Sequence, residues 1–417
     1  MINFLFVHQN FPGQYRHLAP ALLAAGHTCV AIAGPSATGI AGIKLLRCKY
    51  QGTSQPIDVH PWAQDLHIKC LRAEAVAAIA IELRNDGFQP DLIIGHPGWG
   101  ELLVIKDIFA SVPVLHQLEF IYQLSGADFN FDSSLNSPAN PESDWQIAAK
   151  LRLRRAPQLL ALHDLNHAIA PTHWQASTAP SIFTDRISVI HEGINTEQIH
   201  PNPLAEVRLA RAKLSFRPGD ELISFVARNL EPYRGFHVFM RTLPLLQQLR
   251  PNCHVIIVGG DSVSYGSAPE NGGTWREALL TELSSELDLS RIHFVARIPH
   301  NVLHKVFQVC ACHVYLTYPF VLSWSMLEAM SCGALVVASA TPPVQEVIIN
   351  GKNGLLVDFF DSQALANQIA AVLTEPTAYM HLAQAAREHV QATYDLNNIC
   401  LPKQLQLVHQ LTTKVSS

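Results

Sequence analysis

With 417 residues, 48% hydrophobic and only 15% charged, the chain reads as a globular protein with extensive burial, too long for one compact core. A net charge of −5 with no long run of either sign excludes the basic surface through which nucleic-acid-binding proteins neutralise phosphates, so no nucleic acid is expected as partner. The eight cysteines are scattered, mostly in apolar runs and without metal-site spacing, which is the pattern of reduced core thiols.

The N-terminal MINFLFVHQNFPG has no basic leader and its apolar run ends at His8, so it reads as a first strand and not a signal peptide. A turn at Pro12 and Gly13 leads to a helix over residues 15–25, stopped by Gly26, and HTCVAIAG is the next strand. A helix over 72–85, the strand DLIIGH, a helix after Gly100 and the strand VPVLHQLEF follow. Strands separated by helices of this length predict a parallel, doubly wound sheet. Residues 125–144 are rich in Ser, Asn, Asp and Pro and read as a long surface loop of the kind that forms lids or binding segments. A helix over 144–163, the strand HAIAPT, a capping box from Thr172 to Gln175 and the strand ISVIHEG complete the first half.

Pro201 and Pro203 mark a linker, and a second alternating series begins. It runs ELISFVARN, helix 235–249, HVIIVGGD, helix 274–287, IHFVARI, helix 301–310, HVYLTYP, a helix opened by Ser323 and Ser325, ALVVASA and GLLVDF. Helices over 361–373 and 379–390 close the second domain, and 399–415 is a helix able to cross back to the first. The expected domains are therefore 1–200 and 201–390, with a terminal segment 391–417. Ligands of doubly wound sheets collect at the carboxyl ends of the strands, here in a cleft between two such domains. No apolar stretch approaches the roughly 18–20 residues that span a bilayer. A cytoplasmic location is expected, at most peripheral at the inner face of the membrane.

Three strand-to-helix turns of the second half carry the candidate chemistry. In the first, Arg228 and Arg234 follow a buried strand and Gly235 opens a helix. Two permanently charged guanidinium groups beside a helix N-terminus suit a diphosphate better than a pair of surface salt bridges. In the second, VYLTYPFVLSWSMLEAMSCGALVVAS, Glu328 is flanked by Met326, Leu327, Ala329 and Met330. Either Glu328 closes a capping box with Ser325, or its carboxylate accepts ribose hydroxyls. In the third, Gly351 and Gly354 suit a tight turn before a strand, a structural role. His96-Pro-Gly-Trp-Gly-Glu101 either lines the cleft or is a strained turn needing Gly98 and Gly100. Lys150, Arg152, Arg154 and Arg155 offer a weak peripheral contact with anionic lipid, but a solvated helix face accounts for four basic residues better. No Asp-x-Asp triplet occurs, so no carboxylate pair stands ready for a metal–diphosphate complex; neither a metal nor a cofactor is expected.

The ordered series Arg-x5-Arg-Gly-Phe, VIIVGGD, Leu-Glu-Ala-Met-Ser-Cys-Gly and Gln-Glu-Val-Ile-x2-Gly-x2-Gly-Leu-Leu-Val resembles the nucleotide-sugar domain of retaining family 4 glycosyltransferases, the group 1 glycosyl transferases. The likeness is firm over residues 225–358. It is looser in the first half, where Phe11-Pro12-Gly13-Gln14 stands in the place of the family's glycine-containing first loop and VIHEGINTEQIHP resembles the segment entering the second domain. The resemblance implies an α/β GT-B fold, two Rossmann-like domains facing across a cleft. It implies transfer of a sugar from a nucleoside diphosphate to a sugar, lipid-linked or small-molecule acceptor. Carried over residue by residue, Arg228 and Arg234 hold the donor diphosphate and Glu328 binds the ribose. N–H groups near Ser323, Trp324 and Ser325 meet the diphosphate or donor sugar. The base lies near Arg297 and Ile298, and Gly13 shapes the first loop. Glu119 takes the place of a His common in the family, to position the acceptor or share charge with the forming oxocarbenium ion. The chain departs from the pattern at Phe320, which occupies the place of the first of two paired acids, eight positions before Glu328. An epimerase or phosphorylase on the same fold, and a nucleotide-sugar-binding or scaffold protein altered by Phe320, are the alternatives.

Overall fold

The uninterrupted apolar runs become parallel strands, most of them buried on both faces, which is why they lack a polar alternation. The computed structural model describes residues 1–50, 59–135, 143–210 and 212–413. They divide into two units, Met1–Gly193 with Asn397–Ser417, and Ile194–Leu396.

The first unit is built on strands β1 (Asn3–Val7), β2 (Thr28–Ala33), β3 (Lys44–Arg47), β4 (Leu92–Gly95), β5 (Val114–Gln117), β6 (His167–Ala170) and β7 (Ile187–Val189). Their order is β3-β2-β1-β4-β5-β6-β7 and every pairing is parallel, so the direction of growth reverses between β1 and β4. Alternate residues of β1 serve two cores: Phe4 and Phe6 pack on one face, Leu5 and Val7 on the other. The helix Leu401–Thr413 joins the first of these through Leu407 and Val408, which makes the chain's end part of this unit.

Several expectations change here. The helix expected over 15–25 is split into a short 3-10 turn, Gly13–Arg16, and a helix Leu18–Ala24. Starting the helix at Leu18 puts Pro20 in its first turn, where the missing N–H leaves no hydrogen bond unmade. The helix expected from 72 begins already at Gln64, about two turns earlier, and the added segment carries an Asp65–Lys69 ion pair at 2.7 Å. After Gly100 only one turn forms, Ile105–Ile108. β3 was not among the expected strands; it lies at the sheet edge, so two leucines between charged ends suffice. Of the expected loop, residues 136–142 lie outside the described residues.

The second unit contains an unexpected antiparallel ribbon, β8 (Val207–Leu209) and β9 (Leu214–Phe216), and a parallel sheet. The sheet comprises β10 (Leu222–Asn229), β11 (His254–Gly260), β12 (Ile292–Val295), β13 (Cys312–Tyr315), β14 (Leu335–Ser339) and β15 (Leu355–Val357). Its order, β12-β11-β10-β13-β14-β15, is the 3-2-1-4-5-6 winding of dinucleotide-binding sheets, with the switch point between β10 and β13. Phe239 of the helix Phe236–Leu249 stacks on Phe225 of β10 with ring centroids 4.6 Å apart. The helix Trp324–Ser331 sinks Met326, Leu327, Ala329 and Met330 into a core with Val336, Ala338 and Val344. The divisions fall at 193/194 and 396/397, against expected boundaries at 200/201 and 390/391. A parallel bridge between Ile194 and Asp395, with the Ile194 N–H donating to the Tyr394 carbonyl at 2.8 Å, ties both flanking segments to the second unit. Among the described residues no helix is long and apolar enough to cross a membrane.

Candidate functional site

In the second unit the site residues gather at the carboxyl edge of the sheet, on either side of the switch between β10 and β13. β10 ends at Asn229, and the short turn Pro232–Arg234 follows. Gly235 then turns the chain with φ +67°, and a Cβ there would lie 2.3 Å from the Leu316 Cβ, so only glycine lets this turn close against the segment after β13. The consequence is the placement of Arg234. Its guanidinium is buried and donates from Nη1 to Thr317 Oγ1 and to the Val321 carbonyl, both at 2.9 Å, with the Tyr315 hydroxyl at 3.5 Å. It lies over the Tyr265 ring at 5.6 Å. Among the described residues no carboxylate pairs with it. A buried cation bonded only to neutral acceptors is an electrostatic vacancy for an anion. Arg228, also at the end of β10, is exposed and makes no ion pair among the described residues.

Glu231, an acid inside the same turn, is not Arg234's counter-charge. Its buried carboxylate accepts the N–H groups of Ser264 and Tyr265, at 3.1 Å, and of Gly266, at 3.0 Å. This clamp fixes the segment after β11 and with it the Tyr265 ring. Asn229 extends it: its Oδ1 accepts from Arg297 Nη2 at 2.9 Å and from Ser262 Oγ at 3.1 Å, and its Nδ2 donates to Ser264 Oγ at 2.7 Å. Arg297 and Ile298 follow β12; Arg297 is exposed, while Ile298 packs its side chain against the core.

The helix Trp324–Ser331 starts on the β13 side. Ser323 is its cap: the hydroxyl accepts the Ser325 N–H at 3.4 Å, while the Ser323 N–H donates to the Tyr315 hydroxyl at 2.8 Å. Ser325 therefore lies inside the helix, and the Ser325–Glu328 capping box does not form. Glu328 sits in the second turn, buried, with Oε1 3.8 Å from His300 Nδ1. One ligand atom each of His300, His304 and Glu328 lie within 4.8 Å of one another. Phe320 is buried against the Tyr265 ring, 4.8 Å between centroids, and the Tyr233 ring, at 5.5 Å. Gly351 and Gly354 close a turn in which the Gly351 N–H donates to the Gly354 carbonyl at 2.9 Å, the structural role expected of them.

The first unit holds a second polar cluster, also at its switch point. Gly13 has φ +47°, and a Cβ there would lie 2.5 Å from His8 Cε1. Gln14 donates its amide to the Glu119 carboxylate, and His96 Nε2 is 3.3 Å from the other oxygen. Thr172 caps the helix His173–Ser177, its hydroxyl accepting the Gln175 N–H at 3.0 Å and donating to Gln175 Oε1 at 3.3 Å, while the Gln175 amide nitrogen donates to the Glu119 carbonyl at 2.6 Å. Burial by itself pushes the Glu119 carboxyl up, but the hydrogen bond and charge of His96 and the Gln14 amide outweigh it and hold it below the usual range. Burial, aided by the charge of His96, pushes both His8 and His116 down to about 3. Glu101 is buried with Arg72 Nη1 4.0 Å away, and burial pushes its carboxyl up to about 7.

Sequence reasoning missed Glu231, Tyr265, the Gln14–Glu119 contact and the two histidines beside Glu328. Only the last left a signal, the i, i+4 spacing of His300 and His304. In the basic patch, Arg154 stacks on Tyr122 with its charge 3.9 Å from the ring centroid and donates to the hydroxyl at 3.0 Å, which leaves less of the patch for a lipid surface.

Residues 25–199 match the glycosyl transferase family 4 group, and residues 207–389 match the glycosyl transferases group 1. A D-inositol 3-phosphate glycosyltransferase of Corynebacterium urealyticum is 30% identical over 216 residues, which is 51% of this chain and 49% of that protein. Its counterpart in a Mycobacterium species is 27% identical over 302 residues, 71% of this chain and 60% of that one. The chain thus spans about half to three fifths of the length of these curated relatives. Among solved structures, sucrose-phosphate synthase from Thermosynechococcus elongatus superposes with a TM-score of 0.70 at 19% identity, over 99% of this chain and 100% of that one. HepE from Anabaena, solved in complex with UDP-glucose, gives 0.65 at 18% identity, over 100% of both chains. With two parallel doubly wound units, the fold is GT-B, and the chain belongs to the group 1 glycosyl transferases of family 4.

Proposed function

We propose that this protein is a retaining, metal-independent glycosyltransferase that moves a sugar from a nucleoside diphosphate sugar to a sugar, lipid-linked or small-molecule acceptor. The observation that carries the reading is the buried guanidinium of Arg234, which has no carboxylate partner among the described residues and sits at a switch point beside a helix N-terminus. Breaking the bond between sugar and diphosphate develops negative charge on the leaving phosphate. Arg234, the exposed Arg228 and the first N–H groups of the helix Trp324–Ser331, near Ser323, Trp324 and Ser325, are preorganised to receive it. With the capping box gone, Glu328 is read as the ribose ligand, and the backbone at Ile298 as the edge that meets the base. Two guanidinium groups do the work a metal would share, in keeping with the lack of an Asp-x-Asp triplet.

Glu119 stays ionised between His96 and Gln14 and is proposed to position the acceptor hydroxyl in the first unit, with Gly13 shaping the loop that holds Gln14. Solved relatives carry UDP and UDP-glucose, which makes a UDP-sugar the first donor to try. The inositol phosphate acceptors named for the curated relatives come from partial matches and serve as candidates only.

A thermal-shift screen with UDP-, GDP- and ADP-sugars in EDTA tests the reading. At least one is expected to stabilise the wild type and to lose its effect in Arg228→Ala. No response to any of them refutes the donor site. A donor that binds without turnover on any acceptor favours the second reading, a nucleotide-sugar-binding protein altered at Phe320. Turnover without an acceptor points instead to an epimerase.

A further inference from the structure

We propose that His300, His304 and Glu328 form a binding site for a divalent transition metal of the zinc type, and that a metal held there withdraws Glu328 from a nucleotide ribose. His300 opens the helix His300–Val309, and His304 follows one turn later, so both imidazoles lie on the same helix face. The third group comes from the neighbouring helix Trp324–Ser331, where Glu328 is buried and can move little.

The distances fit a closing site. Ligands on a tetrahedral zinc, at about 2.0–2.1 Å from the metal, stand about 3.3 Å apart. Here the three ligand atoms lie within 4.8 Å of one another, and the His300–Glu328 pair is already at 3.8 Å. The adjustment falls on His300, whose side chain is 64% exposed and free to rotate, while the Glu328 side chain is 3% exposed. Two imidazoles and one carboxylate select zinc, nickel or copper over magnesium or calcium, which prefer all-oxygen shells. Three protein ligands leave a fourth position for water.

A salt bridge would need only one histidine. The second, a helical turn away, is what makes the group a chelate. The competition with nucleotide rests on the reading of Glu328 as ribose ligand; the metal site does not. If the two ribose hydroxyls take both oxygens of Glu328, none is left for the metal, so zinc at this site acts as an inhibitor of donor binding and not as a participant in the chemistry.

The test uses the full chain without a histidine tag, first freed of metal by chelation. Zinc is titrated calorimetrically, cobalt is followed by its visible absorption, and UDP affinity is measured with and without zinc. One metal per chain is expected. His300→Ala and His304→Ala should each weaken it by more than about tenfold, a loss that even an outer-shell partner of a metal can cause. Zinc should weaken UDP binding in the wild type and leave it unchanged in His300→Ala, which also controls for zinc bound to UDP in solution. His300 is exposed, so its variant folds even where His304→Ala does not. Metal binding undiminished in the His300 variant, or no binding at all, overturns the site. Histidine-dependent metal binding with UDP affinity unmoved overturns the competition and the ribose role of Glu328. Failure of the metal-free protein to bind UDP refutes the donor reading instead, while the cobalt titration still decides the metal site.

Discussion

Replacing Arg234 with Met separates a guanidinium kept for a ligand from one kept for the fold. The substitution removes donors to Thr317 Oγ1 and the Val321 carbonyl, both at 2.9 Å. Leaving such buried acceptors unsatisfied costs about 1–3 kcal/mol each. Against this, Met abolishes the desolvation penalty of a buried cation that has no ionised partner, on the order of several kcal/mol. The two contributions largely cancel, so the unliganded protein is expected to change by less than about 2 kcal/mol, a few degrees in Tm for a unit of this size. Nothing cancels on the ligand side. One charge-assisted hydrogen bond to phosphate is about 1.5–3 kcal/mol, or about 10–150-fold in affinity, and more if the guanidinium engages two oxygens. Scanning fluorimetry gives the first quantity and calorimetry with UDP the second. A Tm lowered by more than about 10 °C, together with UDP affinity changed by less than about threefold, would refute the reasoning and make Arg234 a structural residue.

Glu101 offers a pH test. Its carboxyl is raised to about 7 by burial, so the folded chain holds the proton more tightly than the unfolded one. The stability this provides is complete below the ordinary carboxyl range and is lost as pH rises through about 7, amounting to at most about 3 kcal/mol. Glu101→Gln should therefore flatten the pH dependence of the first unit's denaturant midpoint between acid and alkaline buffers; identical slopes in both proteins would show that the buried acid is not responsible. Gly235→Ala forces a Cβ to within 2.3 Å of Leu316 at φ +67°, whereas Gly351→Ala, at φ +71°, meets nothing within 4 Å. The first should cost about 1–3 kcal/mol or more and weaken UDP binding through Arg234, the second only its backbone strain. Equal effects in urea denaturation would contradict the close approach.

The two sheets were readable because strands buried on both faces leave continuous apolar runs, and the motif order located Arg228, Arg234 and Gly235 at the turn after β10. What escaped depended on partners far away in sequence. Lys44–Arg47 is a strand only because β2 offers it an edge. The Ser325–Glu328 box fails because the Tyr315 hydroxyl, eight residues back, takes the Ser323 N–H and fixes Ser323 as the cap. Glu119 is held by Gln14 across 105 positions and by His96 across 23, contacts that no local pattern encodes. Glu231 reads as an ordinary surface acid next to a proline, and nothing in the sequence shows that its carboxylate collects three backbone N–H groups 33 to 35 residues away.

Phe320 acquires a physical consequence from these contacts. It packs its ring against Tyr265, whose face lies under the Arg234 guanidinium, and the Glu231 clamp holds that tyrosine in place. A carboxylate at position 320 would stand in this aromatic setting near the buried cation and offset part of its charge. With phenylalanine there, and with Glu231 saturated by backbone donors, the charge of Arg234 stays available to an anion. In the donor site we propose, phenylalanine at this position favours the diphosphate over polar reading of the sugar. That is why the nucleotide, rather than the sugar it carries, is the ligand whose binding should respond most sharply to the loss of Arg234.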